Sequence, residues 1–275
     1  MRSRNLKPVT NSPLLGLPTM ENDRLRVEQA LLGAVRTPDA YLTEIASHLI
    51  SAGGKRLRPV FTIVASQIAT DGPASEEAIA GGISCELVHL GSLYHDDVMD
   101  EAPLRRGVVS ANNRWGNTVA ILTGDYLFAR TSDMLADLGP AAVHLQAQTF
   151  ERLVIGQIME TQGPAEGEDP LAHYLKVVGD KTGSLIAASA QFGAMLAGAP
   201  REYIDALAIF GEKIGVTFQL ADDVIDIASE SNRWKNRINN FILKSIYACS
   251  VLLYICMIRL ICGQVIKWGS VRVGR

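Results

Sequence analysis

Two acidic patterns of one form carry the most chemistry in this 275-residue chain: Asp96-Asp97-Val98-Met99-Asp100, followed by Glu101, and Asp222-Asp223-Val224-Ile225-Asp226. Both read D-D-x-x-D. On a helix, residues four apart share a face, so Asp96 and Asp100 point the same way, as do Asp222 and Asp226. Like charges at that spacing repel by roughly 0.2–0.5 kcal/mol per exposed pair, and by more when desolvated. A divalent cation reverses the sign of that cost. A solvated helix face would explain one such pattern. Two of them, each preceded by an apolar frame (residues 87–94 and 214–220), read as the acidic lining of a cavity. Oxygen-only ligands suit Mg2+, which keeps several waters and shares the phosphate oxygens of a substrate.

A metal–diphosphate site also needs cations for the phosphate oxygens that the metals leave uncovered. Gly53-Gly54-Lys55-Arg56-Leu57-Arg58-Pro59 is a flexible basic turn leading into a helix. Arg105-Arg106-Gly107 follows the first acidic pattern closely enough for a short loop to fold the guanidinia back over it. Lys181-Thr182-Gly183 reads as the opening of a helix, where backbone N–H groups favour anions. Arginine suits bidentate phosphate contact and lysine acts as a point charge. Each set alone is as well explained by a solvated surface; with two D-D-x-x-D patterns they become specific. His89 lies two helical turns before Asp96 on roughly its face; alone it reads as a satisfied core histidine. Glu86-x-x-His89 is half of a di-iron pattern, but the chain has no second Glu-x-x-His, which sets that reading aside.

The elements that must position these residues read as helix after helix: roughly 24–35, 40–51, 59–69, 76–100, 118–138, 140–162, 170–197 and 201–228. In several, apolar residues recur at three- and four-residue spacing. Pro59, Pro140 and Pro170 open segments, and Gly or Pro lies between many of them. Sustained period-two alternation is absent, so the expected fold class is an all-α bundle. Stretches 102–117 and 162–170 read as loops.

Composition excludes other classes. Apolar residues are 48% and charged residues 20%, which fits neither disorder nor a disulfide scaffold. Residues 232–275 hold eight Lys/Arg and no Asp or Glu; residues 1–231 hold the other 18 basic and all 29 acidic residues, a net −11. An acidic body argues against nucleic acid as a partner. The N-terminus has no apolar run long enough for a signal-peptide core. Cys85 reads as a buried small hydrophobe, and Cys249, Cys256 and Cys262 form no CxxC pair, so a cytoplasmic location is expected.

The segments GGKRLRP, LYHDDVMDEAPLRRG, GDYLFAR, GQIMET, KTGSL and FQLADDVID, in this order over about residues 40–230, resemble the trans-isoprenyl diphosphate synthases, specifically the polyprenyl synthetases. The resemblance implies an isoprenoid-synthase-type helical bundle around a deep central cavity, a homodimer, Mg2+ as cofactor, and condensation of isopentenyl diphosphate with an allylic diphosphate. It implies that Asp96 and Asp100, with Asp222 and Asp226 opposite, hold the metals. Asp97 and Asp223 would support them. Arg105, Lys181, Thr182 and Gln219 would contact the allylic diphosphate; Lys55, Arg58, His89 and Arg106 would hold that of isopentenyl diphosphate. Bulky aromatics four and five residues before the first acidic pattern block chain growth early in that family. Here those positions are Ser92 and Gly91, which implies medium- or long-chain products with a deeper floor at Phe128 or Met159. A short-chain synthase and an inactive paralogue remain the alternatives.

The division expected along the chain is a flexible leader over 1–23, a prenyltransferase helical domain over 24–231 and an atypical tail over 232–275. The family's Gly-Lys-x-x-Gly-x-Asp stretch is missing after Asp226, and Lys235 does not match its context. The tail is a genuine variant, a membrane-contacting extension, or the product of a frameshift or wrong gene boundary, and the composition break favours the last. Its uncharged run, residues 245–258, is short of a bilayer span. Three rivals are weighed. A terpene cyclase needs no second diphosphate site, a non-catalytic subunit would lose its aspartates, and a membrane-anchored binding protein would be defined by the tail.

Overall fold

The computed structural model describes residues 19–228, the last four as backbone only. The leader up to residue 18 and the tail expected over 232–275 lie outside the described residues. The architecture is all-α, as expected: α1 Met20–Ala34, α2 Ala40–Ser51, α3 Leu57–Ser66, α4 Glu76–Met99, α5 Ala111–Trp115, α6 Asn117–Leu138, α7 Pro140–Gln162, α8 Pro170–Val178, α9 Ser184–Leu196 and α10 Arg201–Ala228. A two-stranded antiparallel hairpin, β1 Leu104–Arg105 and β2 Val108–Val109, interrupts the helices. Pro18–Gln219 form one compact unit, and the last turns of α10 fall outside it.

Local chemistry sets the boundaries. The Asp39 carboxylate accepts from the backbone N–H of Tyr41 and Leu42 and starts α2; the Ser75 hydroxyl accepts from Ala78 N–H and starts α4. Pro140 and Pro170 open α7 and α8, where a missing N–H costs nothing. Gly139 and Gly163, both at positive φ, bracket α7.

Three expectations move. Helix α1 begins at Met20, not residue 24, because Met20 is buried and the buried carboxylate of Asp23 pairs with Arg26 at 2.7 Å and accepts from Ala74 N–H. The leader expected through residue 23 therefore gives up its last four residues. Helix α3 begins at Leu57, with Arg56 in the left-handed region ahead of it, so Pro59 is its third residue. Residues 102–117 hold the hairpin and α5 rather than plain loop; Arg106 and Gly107, at φ 54° and 76°, supply the tight turn.

Helix α4 is the centre of the unit. It packs against α3, α6 and α9, and most of its residues from Ala78 to Tyr94 are buried. Buried on most of its faces, it shows little helical amphipathicity. Its Cys85 and Val88 form a core with Leu135, Leu153, Leu185 and Phe192, in which the Phe192 side chain is fully buried. Burial pushes the Cys85 thiol up to about 11, as its reading as a small hydrophobe requires. No described helix is long and apolar enough to cross a membrane.

Candidate active site

The first acidic pattern closes α4. Asp96 and Asp97 lie in the last turn, the helix ends at Met99, and Asp100 follows as its cap. Carboxylates at a helix C-terminus oppose the macrodipole, so the arrangement costs stability unless cations are supplied. Asp97 is fully buried. Its Oδ1 accepts from Arg105 Nε at 2.6 Å, while its Oδ2 is buried without a hydrogen-bond partner. Burial raises the Asp97 carboxyl, against which Arg105 lowers it. Asp96 is half-buried, and its carboxyl is also raised, chiefly by burial; Lys181 and Arg105 pull it down while Asp100 and Glu160 push it up. Asp96, Asp100, Arg105, Lys181 and Glu160 therefore act on one place. The carboxylate oxygens of Asp96 and Asp100, with the orphaned Asp97 oxygen behind them, suit a hard divalent cation. Among the described residues, no group of three or more His, Cys, Asp or Glu side chains is already drawn together as a ligand set.

The hairpin delivers the arginines. Its turn reverses the chain after Pro103, so Arg105 reaches back to Asp97 as the short loop allows. The Asn112 amide donates to the Asp97 carbonyl at 2.9 Å, and the His48 ring meets the Val109 carbonyl at 2.8 Å, anchoring the hairpin's base. Arg106 Nη1 donates to the carbonyls of Leu49 and Gly53, stitching the hairpin to the glycine-rich turn before α3.

A second group gathers around His89. Burial and four guanidinia, those of Arg58, Arg106, Arg105 and Arg56, hold its imidazole well below its ordinary value of 6.5, so it is neutral at pH 7. Burial also lowers Arg58 and Arg106, with Glu86 opposing in each case. Arg58 Nε is buried without a hydrogen-bond partner. Lys55 is exposed at the edge of this turn. Arg105 is paired with Asp97 and Arg56 with Glu28 and Glu86, so Arg58 and Arg106 leave positive charge in surplus, which is the requirement for holding a polyanion.

Lys181 and Thr182 do not open a helix. They sit in a π-helical turn, Gly179–Gly183, that joins α8 to α9 without a break, all in right-handed conformation. The free N–H groups expected there are not those of a helix start. What the turn offers is side chains: Lys181 Nζ meets Glu160 Oε2 at 2.5 Å, and Thr182 Oγ1 donates to Gln219 Oε1 at 3.1 Å.

Gly91 proves to be a packing position. It is buried against α6, where an added Cβ would lie 2.6 Å from Phe128 Cε1 and 3.1 Å from the Gly124 carbonyl. Ser92 is half-buried, with its hydroxyl donating to the His89 carbonyl at 2.9 Å. Phe128 meets His95 edge-to-face and Phe150 at a tilt of 54°, at centroid distances of 5.4 and 4.6 Å. The second acidic pattern lies on the last turns of α10, which puts residues 222 and 226 one turn apart on a continuous helix. The Asp226 side chain lies outside the described residues.

Sequence reasoning missed Arg56 as a structural residue. It is buried, pairs with Glu28 at 2.8 Å and Glu86 at 3.4 Å, and donates to the Ile50 carbonyl. It also missed Glu160 and Arg152, whose partners are distant in sequence.

The polyprenyl synthetase family model matches residues 39–245. A nonaprenyl diphosphate synthase of Mycobacterium tuberculosis is 50% identical over 207 residues, covering 75% of this chain and 62% of that protein. A polyprenyl synthase from Caulobacter crescentus, solved in complex with calcium and isoprenyl diphosphate, is 33% identical with a TM-score of 0.71, covering 78% of this chain and 64% of that one. A geranylgeranyl pyrophosphate synthase from Corynebacterium glutamicum, solved with the same two ligands, is 46% identical with a TM-score of 0.68, covering 77% of this chain and 64% of that one. The chain thus spans less than two thirds of the length of each.

Proposed function

The chain belongs to the polyprenyl synthetase family and has its all-α isoprenoid-synthase fold, and from that premise we propose that it condenses isopentenyl diphosphate with an allylic diphosphate. The observation that carries this reading is the mixed charge around Asp96. A carboxylate cluster at a helix end sits with Lys181 and Arg105, next to a surplus of guanidinia around His89.

The residues divide the work between two diphosphates. Arg105, Lys181 and Thr182, with Gln219, meet the allylic diphosphate; Lys55, Arg58, His89 and Arg106 hold the other. Asp96 and Asp100 would hold Mg2+, with Asp97 behind them as the anchor of Arg105. On residue pattern alone, Asp222, Asp223 and Asp226 take metal-holding and catalytic roles as well. Bound Mg2+ would neutralise diphosphate charge as it develops. Lys181 and Arg105 act on that same charge, which grows as the allylic C–O bond breaks and its electron pair leaves with diphosphate. The alkene of isopentenyl diphosphate then forms the new C–C bond. A proton leaves the carbon beside the resulting cation, and the departed diphosphate accepts it. With the departed diphosphate as base no protein acid–base pair is needed, and His89 serves as a hydrogen-bonding ligand.

Medium- or long-chain products are proposed, with Ser92 as the small residue that leaves room and Phe128 as the floor; the nonaprenyl synthase relative supports this. A short-chain product is the second reading, favoured by the likeness to the geranylgeranyl pyrophosphate synthase. Pairing of two copies is supported by exposed apolar residues on α6 and α7, among them Leu122, Ile155 and Ile158. A cytoplasmic location and a peripheral membrane contact through the tail belong to the same proposal. Incubation with labelled isopentenyl diphosphate, an allylic primer and Mg2+ tests the reading. Elongated, label-bearing chains support it, chromatography gives their length, and no incorporation with any primer sinks it.

A further inference from the structure

Lys181 and Thr182 occupy a π-helical turn, and such turns are rare, wide and usually tied to function. Neighbouring elements must hold one in place. Here α7 and α10 enclose it. An added Cβ at Gly156 on α7 would lie 2.7 Å from the Lys181 backbone nitrogen and 3.1 Å from the Asp180 carbonyl carbon. An added Cβ at Gly215 on α10 would lie 2.6 Å from Gly183 Cα. Arg152, one turn before Gly156, closes the arrangement. Its Nε donates to Asp180 Oδ1 at 2.8 Å, and its Nη1 donates to Glu212 Oε2 on α10 at 2.9 Å. Asp180 immediately precedes Lys181, whose ammonium points to Glu160 and acts on Asp96.

We propose that Arg152 is a positioning residue: by joining Asp180 to Glu212 it fixes the π-helical turn and so places Lys181 against a diphosphate. The diphosphate role rests on the transferase reading above. Arg152 itself is committed to carboxylates of the turn and of α10 and acts through its neighbours.

The test uses the full chain, inorganic diphosphate with Mg2+ as probe, and the variants Arg152→Gln, Arg152→Lys, Lys181→Gln and Arg152→Gln/Lys181→Gln. Calorimetric affinity and amide hydrogen exchange over 179–184 are read together. Arg152→Gln is expected to speed exchange in 179–184 selectively. It should also weaken diphosphate binding by about tenfold, the size of one lost charge-assisted contact, much as Lys181→Gln does. The double variant should bind within twofold of Lys181→Gln, since Arg152 acts through Lys181, and Arg152→Lys should fall between. Unchanged exchange, losses that multiply in the double variant, or no diphosphate binding by the unmodified chain would overturn the proposal. If Arg152→Gln does not fold, Arg152→Lys carries the same comparison. An unmodified chain that transfers no prenyl group yet shows this binding pattern refutes the transferase reading and leaves the positioning role standing.

Discussion

Arg105 donates its Nε hydrogen to Oδ1 of Asp97 across 2.6 Å, tying the hairpin back onto the end of the helix that precedes it. The carboxylate is fully buried and the guanidinium is only partly so. Removing the cation alone strands a buried charge. Arg105→Met is therefore expected to destabilise the chain by about 3 kcal/mol. Adding Asp97→Asn should recover part of that loss. Urea unfolding of the four-membered cycle measures the coupling, expected at roughly 1.5–3 kcal/mol.

Arg56 and Arg58 stand two residues apart and are expected to fail differently. Arg56 is a buried strut between Glu28, Glu86 and the Ile50 carbonyl. Arg56→Met should lower stability by about 3–5 kcal/mol. Arg58 is buried near Glu86 and Arg106 with its Nε unpartnered. Arg58→Met should leave the unfolding midpoint nearly unchanged while raising KM for isopentenyl diphosphate by ten-fold or more, about the loss of one charge-assisted contact. Denaturant melts and initial rates on both variants separate the roles.

His89 gives a pH signature. Its folded-state value lies below the ordinary 6.5, so below that pH the unfolded chain takes up a proton that the folded chain refuses. Its contribution is intact above pH 6.5 and is lost as pH falls toward the folded value. The sensitivity is at most about 1.4 kcal/mol per pH unit for one proton. Stability measured from pH 7.5 to 5 should fall less steeply in His89→Gln than in the unmodified chain. Parallel curves would show that His89 is not the group.

Much of this was legible in the residues, and the rest was hidden for identifiable reasons. Helices α2 and α7 begin and end, and α10 begins, where apolar spacing and punctuation place them, because capping and proline signals are local. The acidic patterns and basic segments announce diphosphate chemistry by residue type. The π-helical turn leaves no such mark: Gly179 and Thr182 suit many backbones, and the residues that enclose the turn, Arg152, Gly156 and Gly215, arrive from other helices. Arg56 looks like another surface cation until the fold brings Glu28 and Glu86 to it.

Gly91 and Ser92 are adjacent in sequence but differ in packing. Gly91→Phe would drive a ring into Phe128 and the Gly124 carbonyl, so it is expected to impair folding rather than shorten products. Ser92→Phe is expected to leave a folded enzyme whose longest product is shorter by at least one five-carbon unit. Chromatography of products from Ser92→Phe, with circular dichroism on both variants, decides it; unchanged product length would remove Ser92 from that role.

The most direct measurement is turnover of the Asp96→Asn/Asp100→Asn chain beside the unmodified chain, at saturating isopentenyl and allylic diphosphates with Mg2+. The substitutions preserve shape and remove the repulsion at the end of α4, so the variant should fold at least as stably. A fall in kcat of about 10³-fold or more, with stability retained, is predicted from the loss of charge stabilisation at the leaving diphosphate. Turnover within a few-fold of the unmodified chain would contradict the assignment of this acidic helix end as the place where diphosphate is released.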